Sequence, residues 1–283
     1  MNKLIAEYTT TNKYANSIWV FRKALYLFVL WYLIRYLPFL DEFYGPDSFI
    51  VKQHVFGNPL KWILLILNYD NNGIWYVLVY WLDVVLLTMA LLGTKQQRGL
   101  AIAVYFLTCM LIFKSISITN AGEQLCYILL FFNMTLTTHN AKGIWVNTVS
   151  NFGLLGARTM LVLLYVIAGY SKLFGDHWLN GDAFYLVSQV PEYSHPWIQA
   201  LLKGNMWISW LASGFTLLYQ LTFPIAVWFR KIRYKWMVAG VAFHLAIGFF
   251  HNIMDFSLIM VVAYFLFYHD SKAERLKLNI TSL

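Results

Sequence analysis

Runs of about twenty apolar residues, separated by short polar stretches, recur along this chain from Trp19 to about residue 269. One such run is long enough to cross ~30 Å of hydrocarbon as a helix, and inside lipid only a helix satisfies its own backbone. Eight are expected, at 18–37, 74–93, 99–117, 122–138, 153–174, 206–229, 236–252 and 254–269. Composition agrees: 60% of the residues are hydrophobic and only 12% charged, against roughly 25% charged in soluble domains. The fold class is therefore all-α, a polytopic integral membrane protein of about eight transmembrane helices. Residues 1–17 read as a polar N-terminal segment, 18–269 as one transmembrane domain and 270–283 as a polar tail. The first residues, Met1 to Tyr14, are polar, and no small-residue cleavage site follows the first apolar run, so that run is expected to stay as a span. Between the first two runs, Pro38, Asp41, Glu42, Gly45-Pro46 and Pro59 frame an apolar stretch, Leu60–Leu67, too short to span and suited to the membrane interface.

Charge sets the orientation, because cytoplasmic connections carry an excess of Lys and Arg. With eight spans and the N-terminus inside, one side collects Lys3, Lys13, Arg22, Lys23, Lys95, Arg98, Lys142, Arg158, Arg230, Lys231, Arg233, Lys235, Lys272, Arg275 and Lys277. The other collects Asp41, Glu42, Asp47, Asp70, Glu123, Asp176, Asp182, Glu192 and Asp255. Both termini are then cytoplasmic, and the net charge of +8 reflects inside loops rather than a nucleic-acid partner. Lys172, the Asp176-His177-Trp178 turn, Asn120-Ala-Gly-Glu123 and His251-Asn-Ile-Met-Asp255 fall at outer helix ends, so a site built from them opens outward. The long 175–205 loop, with Pro191, Pro196, Trp178 and Trp197, lies on the same side as a possible cover.

Three constellations can carry chemistry. On the fifth span Tyr165, Ala168, Gly169, Lys172 and Asp176 recur at steps of three and four and share one helical face. Small residues on it admit another helix or a flat ligand. Lys172 at a membrane edge snorkels, pairs with Asp176 one turn on, or works as a base. On the seventh span His244, Gly248 and His251, with Asp255 if the helix continues, form a second stripe. The two histidines are about 10.5 Å apart along the axis, too far for one ion, so no metal is expected. Third, Asn120-Ala-Gly-Glu123 is a turn that opens a helix with a carboxylate, beside Lys114 as a candidate partner. Asp83, in mid-span, and Arg35 are further intramembrane charges that need partners. Cys109 and Cys126 lie in apolar segments with no CxxC spacing; they read as membrane-core residues, with pairing between helices left open. No GxSxG, HExxH, Walker A or GxGxxG pattern is present.

The pattern Tyr165-x-x-Ala-Gly169-x-x-Lys172-Leu-x-x-x-x-Trp178-x-x-Gly181, then Gln220-Leu-Thr-Phe-Pro224, Phe243-His244-x-x-Ile-Gly248 and Phe256-Ser257, resembles the horizontally transferred transmembrane (HTTM) domain family. That family includes the membrane part of vitamin K-dependent gamma-glutamyl carboxylase and the bacterial sporulation-delaying protein B type. The likeness runs from about Arg22 to Phe267. It implies a bacterial inner-membrane protein that modifies or matures an exported peptide. In the carboxylase the lysine matching Lys172 is the base that deprotonates a reduced quinone, so reduced vitamin K or another quinone is the implied cofactor. Asp176 and His177 would tune the lysine, and Trp178, Gly181, His244, Gly248 and His251 would shape the pocket. The Asn120-x-Gly-Glu123 turn is closer to the sporulation-delaying type, which implies a small partner protein. Membrane lipid is the remaining expected partner. Without catalysis, the same cavity would serve a scaffold, immunity or transport component that holds a peptide or lipid.

Overall fold

The structure is a computed structural model that describes residues 9, 11–46, 48, 73–93, 98–115, 119–139, 141, 143–268, 270–271, 273–274 and 277. Among them every regular element is helical and there is no strand. The stretch Leu60–Leu67 and the charges Lys3, Asp47, Asp70, Lys95, Lys142, Lys272 and Arg275 lie outside the described residues. The helices are α1 (Ala15–Tyr36), α2 (Leu40–Tyr44), α3 (Ile74–Leu92), α4 (Arg98–Lys114), α5 (Ala121–Thr135) and α6 (Ile144–Leu173). They continue with α7 (Asp176–Asn180), α8 (Ala183–Ser188), α9 (Pro196–Gly204), α10 (Met206–Ala226), α11 (Arg230–Phe250) and α12 (Met254–Tyr264).

Each of the eight apolar runs overlies a helix. Among the described residues three helical segments are long and apolar enough to cross a membrane, Ala15–Tyr44, Ile74–Leu92 and Ile144–Leu173, and they mark a membrane protein. The others fall short of that standard for plain reasons: α4, α5 and α12 have 17, 15 and 11 residues, α10 is diluted by Ser209, Ser213, Gln220 and Pro224, and α11 opens on Arg230, Lys231, Arg233 and Lys235.

The chain divides into two compact units, 1–154 with 268–283, and 155–267. In the first, α1, α3, α4 and α5 form a four-helix bundle in which each helix touches two neighbours. Two consecutive basic residues of α1 organise one end of it. Arg22, buried, donates to Asn133 Oδ1 (2.7 Å) and to the carbonyls of Asn133 (2.8 Å) and Leu136 (2.7 Å). Lys23 donates to the carbonyls of Ala90 (2.8 Å), Leu91 (2.5 Å) and Gly93 (2.7 Å). Each cation thus meets the negative end of a helix dipole, where carbonyls have no partner within the helix. The start of α1 is closed from the tail, since Asp270 accepts from the backbone N–H groups of Asn16 (2.7 Å) and Ser17 (2.9 Å).

Helix α6 begins nine residues before the apolar run because its polar first turns are buried rather than solvated. Asn147 brackets Ala141 through both its carbonyl and its N–H, Ser150 Oγ accepts from Thr137 N at 2.9 Å, and Asn151 donates to the Thr11 carbonyl at 2.9 Å. Buried polar groups with partners cost little, and these hold the neighbouring chain in place.

In the second unit α10 is the hub, touching α7, α8, α9 and α11, while α11 and α12 form a tightly packed hairpin. Gly248 permits that packing: a Cβ there would come within 2.8 Å of Ser257. Arg158 donates through Nε to the Leu266 carbonyl (2.7 Å), just beyond α12, and Arg233 to the Val227 carbonyl (2.6 Å), just beyond α10. The cation-on-carbonyl device of the first unit therefore recurs in the second.

Candidate functional site

Helix α6 stops at Leu173, and Gly175, in an extended conformation, starts the short α7 at Asp176. Lys172 is left half-buried in the last turn. Its Nζ donates to the Ala168 carbonyl at 3.3 Å and lies 4.8 Å from the centre of the Trp178 indole, a cation–π contact. The pairing with Asp176, one of the three readings of this lysine, does not form. The break at Phe174-Gly175 ends the helical register that would have set the two residues one turn apart, and Asp176 is exposed. His177 finds a different carboxylate, with Nδ1 3.1 Å from both oxygens of Asp182. Among the described residues no carboxylate pairs with Lys172.

The segment after α7 is fastened to α10. Gly181 has φ of +82°, and a Cβ on it would come within 2.9 Å of the Trp210 Cα, so glycine is required on both counts. The Gly181 carbonyl accepts from Ser209 Oγ (2.8 Å) and Ser213 Oγ (3.3 Å). The same hydroxyl oxygens accept from the backbone N–H groups of Tyr185 (2.9 Å) and Phe184 (3.2 Å). Two serines one turn apart thus cap the start of α8 from another helix, a role usually taken by the local N-cap side chain.

Below this layer four helices contribute to one buried hydrogen-bonded chain. Tyr165 Oη lies 2.6 Å from His244 Nε2 and 2.5 Å from Tyr264 Oη; Tyr264 Oη lies 3.0 Å from Tyr219 Oη; Tyr219 donates to the Trp236 carbonyl at 3.2 Å. The carbonyl fixes the direction. It can only accept, so Tyr219 donates to it and receives from Tyr264, Tyr264 receives from Tyr165, and Tyr165 receives from His244. His244 therefore carries its proton on Nε2, with Nδ1 a bare acceptor. Nδ1, Gln220 Oε1 and Ser257 Oγ are buried without a protein partner among the described residues. Gly240 admits the chain to α11, because a Cβ there would collide with the hydroxyls of Tyr219 and Tyr264.

No protein-family model matches the chain, and no solved structure matches it. A curated relative does. The chain is similar to sporulation-delaying protein SdpB of Bacillus subtilis strain 168. The two are 24% identical over 214 residues, covering 69% of this chain and 64% of SdpB. The chain thus spans just under two thirds of SdpB, and the relation is a distant one.

Beside that likeness to SdpB, the residues singled out in the sequence divide between the units. Asp83, Asn120 and Glu123 belong to the first. Asp83 is fully buried and accepts from Thr108 Oγ1 at 2.8 Å. Asn120 and Glu123 form a capping box on α5: Asn120 Oδ1 accepts from Gly122 N (2.6 Å) and Glu123 Oε2 accepts from Asn120 N (2.8 Å). Cys109 and Cys126, also in this unit, are free buried thiols.

Tyr165, Gly169, Lys172, Asp176, His177, Trp178, Gly181, His244, Gly248, His251 and Asp255 belong to the second unit. The face at Gly169 is taken by α10, since a Cβ there would lie 3.0 Å from Leu221. The histidine stripe does not continue to Asp255. Helix α11 ends at Phe250, Asn252 takes a left-handed φ of 54°, and Asp255 sits in the first turn of α12. His251 faces away from the tyrosine chain, with Nδ1 3.2 Å from the Tyr193 carbonyl and its ring against Phe184. Among the described residues no three His, Cys, Asp or Glu side chains gather as metal ligands. Tyr219, Tyr264, Ser209, Ser213 and Asp182 were not among the expected site residues. A polar side chain facing inward from an otherwise apolar span is the signal that the tyrosines and serines share; Asp182 lies in the connection between α7 and α8.

Proposed function

We propose that this chain is an inner-membrane protein of a bacterium, with eight helical crossings and both termini in the cytoplasm. It acts from the extracytoplasmic side in the modification or maturation of an exported peptide, with Lys172 as the proton-accepting group. The carrying observation is the Lys172 amine itself: half-buried at a helix end, laid over Trp178, and held by a single carbonyl rather than a carboxylate. A base tied in an ion pair would have to break it before taking a proton; among the described residues Lys172 has no such pair to break. Its nitrogen would take a proton from a bound acidic group and become an ammonium stabilised by the indole face.

Four caps support the orientation. In the eight-span arrangement the carboxyl ends of α3, α5, α10 and α12 all point to the cytoplasm, and these ends meet Lys23, Arg22, Arg233 and Arg158. The HTTM-like pattern supports the peptide-directed role and a small partner protein. A reduced quinone is compatible with Lys172, which has donor capacity beyond its one carbonyl contact. Lys172 and Trp178 would hold it, with the Lys172 nitrogen accepting its hydroxyl proton, and such a group, oxygenated by molecular oxygen when bound, would supply the strong base that removes a carbon-bound proton. His177 and Asp182 would set the electrostatics of the outer rim.

Replacement of Lys172 by alanine tests the reading. Mature peptide should disappear from the medium while the protein keeps its level in the membrane; unchanged maturation would refute it. A second reading, a non-catalytic partner that binds an anionic group, is favoured by the static cation–π contact. Lys172→Arg separates the two, since arginine keeps the charge and the aromatic contact but does not give up its proton near neutral pH.

A further inference from the structure

The second unit contains a cavity of about 420 Å³ between α8, α9, α10 and α11. Its size falls within the ~300–1,000 Å³ of small-molecule sites. Its wall is built from small residues facing large ones. Ala239, Ala242 and Ala246 follow the i, i+3, i+7 face of α11, Ala212 faces them from α10, and Phe184 and Phe250 close the end. The one hydroxyl in the wall, Thr216, is spent on the Ala212 carbonyl at 2.8 Å. No lining group is left to bind a polar ligand, and no lining residue is charged.

The surroundings identify the occupant. Ala242 and Phe215 line the cavity and are also exposed, so it opens sideways. Around that opening Leu211, Leu218, Val238, Leu245 and Phe249 present apolar surface outward, as residues in contact with hydrocarbon do. At one end of the same wall the stretch 196–210 exposes Trp197, Trp207 and Trp210, the residue type that gathers at the membrane–water interface. Lys203 is the only charged residue of that stretch.

We infer that this cavity is a lateral binding site for one acyl chain of a membrane phospholipid, entered from the bilayer between α10 and α11, with the phosphate beside Lys203. A well-packed interior does not keep so large an apolar void, and the chain of a surrounding lipid has the chemistry and the access to fill it. Lys172 and His244 do not line the cavity, so the inference stands apart from the proposed proton chemistry.

The test uses the full chain in nanodiscs doped with phosphatidylglycerol bearing a diazirine at mid-chain, followed by irradiation and peptide mapping. Adducts should concentrate in the lining stretches 198–216 and 239–250. They should fall at least fivefold in Ala246→Leu and in Ala212→Leu, which fill the cavity from opposite walls, while Leu245→Phe on the outer face leaves them unchanged. Thermal unfolding of both filled variants should match or exceed that of the unmodified chain. Adducts spread over lipid-facing residues such as Leu218 and Val238, and insensitive to both filling variants, would show annular lipid only and overturn the inference. So would labelling by a diazirine fatty acid but not by the phospholipid, or displacement of the phospholipid by an apolar peptide.

Discussion

Tyr165 and His244 meet at 2.6 Å across 79 positions of sequence, and the proton between them belongs to the histidine. The tautomer follows from a carbonyl at the far end of the chain, that of Trp236, which only accepts. Nitrogen-15 spectra of selectively labelled protein should therefore show His244 protonated on Nε2. Tyr219→Phe removes the directing end, and the spectrum should then show a mixture of both tautomers.

Cutting the chain in the middle should cost more than cutting its end. Tyr264→Phe breaks two buried hydroxyl–hydroxyl bonds, to Tyr165 and Tyr219, each contributing about 0.5–1.5 kcal/mol. Tyr219→Phe breaks one such bond, to Tyr264, and one to the part-buried Trp236 carbonyl, whose loss costs less. Thermal unfolding in detergent should rank Tyr264→Phe as the less stable of the two.

Gly240→Ala tests the space around the same hydroxyls. The added methyl group occupies the position where Tyr219 and Tyr264 approach α11, and overpacking of this kind costs about 1–3 kcal/mol. Gly204→Ala is the control, because a Cβ there meets nothing within 4 Å. The first should lower the unfolding temperature and the second should leave it within a degree or so.

Arg22→Ala should destabilise the first unit more than Lys23→Ala. Arg22 is fully enclosed, and its loss strands the Leu136 carbonyl and Asn133 Oδ1 away from water, while the Asn133 carbonyl keeps only the Leu136 N–H. Hydrogen bonds to charged groups contribute about 1.5–3 kcal/mol each. Lys23 is half-buried, so water can replace it at the end of α3. Protein level in the membrane and unfolding temperature both report the difference.

Ser209→Ala combined with Ser213→Ala should free the segment 176–190 from α10. The expected outcome is faster proteolytic cleavage within that segment and a matching loss of the Lys172–Trp178 contact, read as a change in Trp178 fluorescence. Equal cleavage rates would show that the two hydroxyls do not hold it.

Helix positions were legible because apolar length carries that information directly: each expected run lies on a helix, and the Asn120–Glu123 cap appears where the turn signal put it. What periodicity cannot foresee is where a helix stops. Lys172 and Asp176 share a face only on an unbroken helix, and Gly175 ends it; His251 and Asp255 fail to align for the same reason at Asn252. Polar residues inside spans were the other gap. Tyr219, Tyr264, Ser209 and Ser213 look like ordinary members of apolar helices until tertiary packing shows which hydroxyl meets which carbonyl. The expected run starts at 153, whereas α6 starts at Ile144, because Asn147, Ser150 and Asn151 are buried and bonded.

The tight turn at Asn252 bears on how the chain is made. Helix α12, with 11 residues, is well short of the roughly 20 needed to cross a bilayer alone. Packed against α11 through Gly248 and Ser257, it does not have to enter alone. On the proposed eight-span reading, the two would leave the ribosome and partition from the insertion machinery as one helical hairpin, with the longer member carrying the shorter. A bulky side chain at position 248 would then act during biogenesis, before any finished protein exists, and its signature would be a C-terminus left on the wrong side of the membrane.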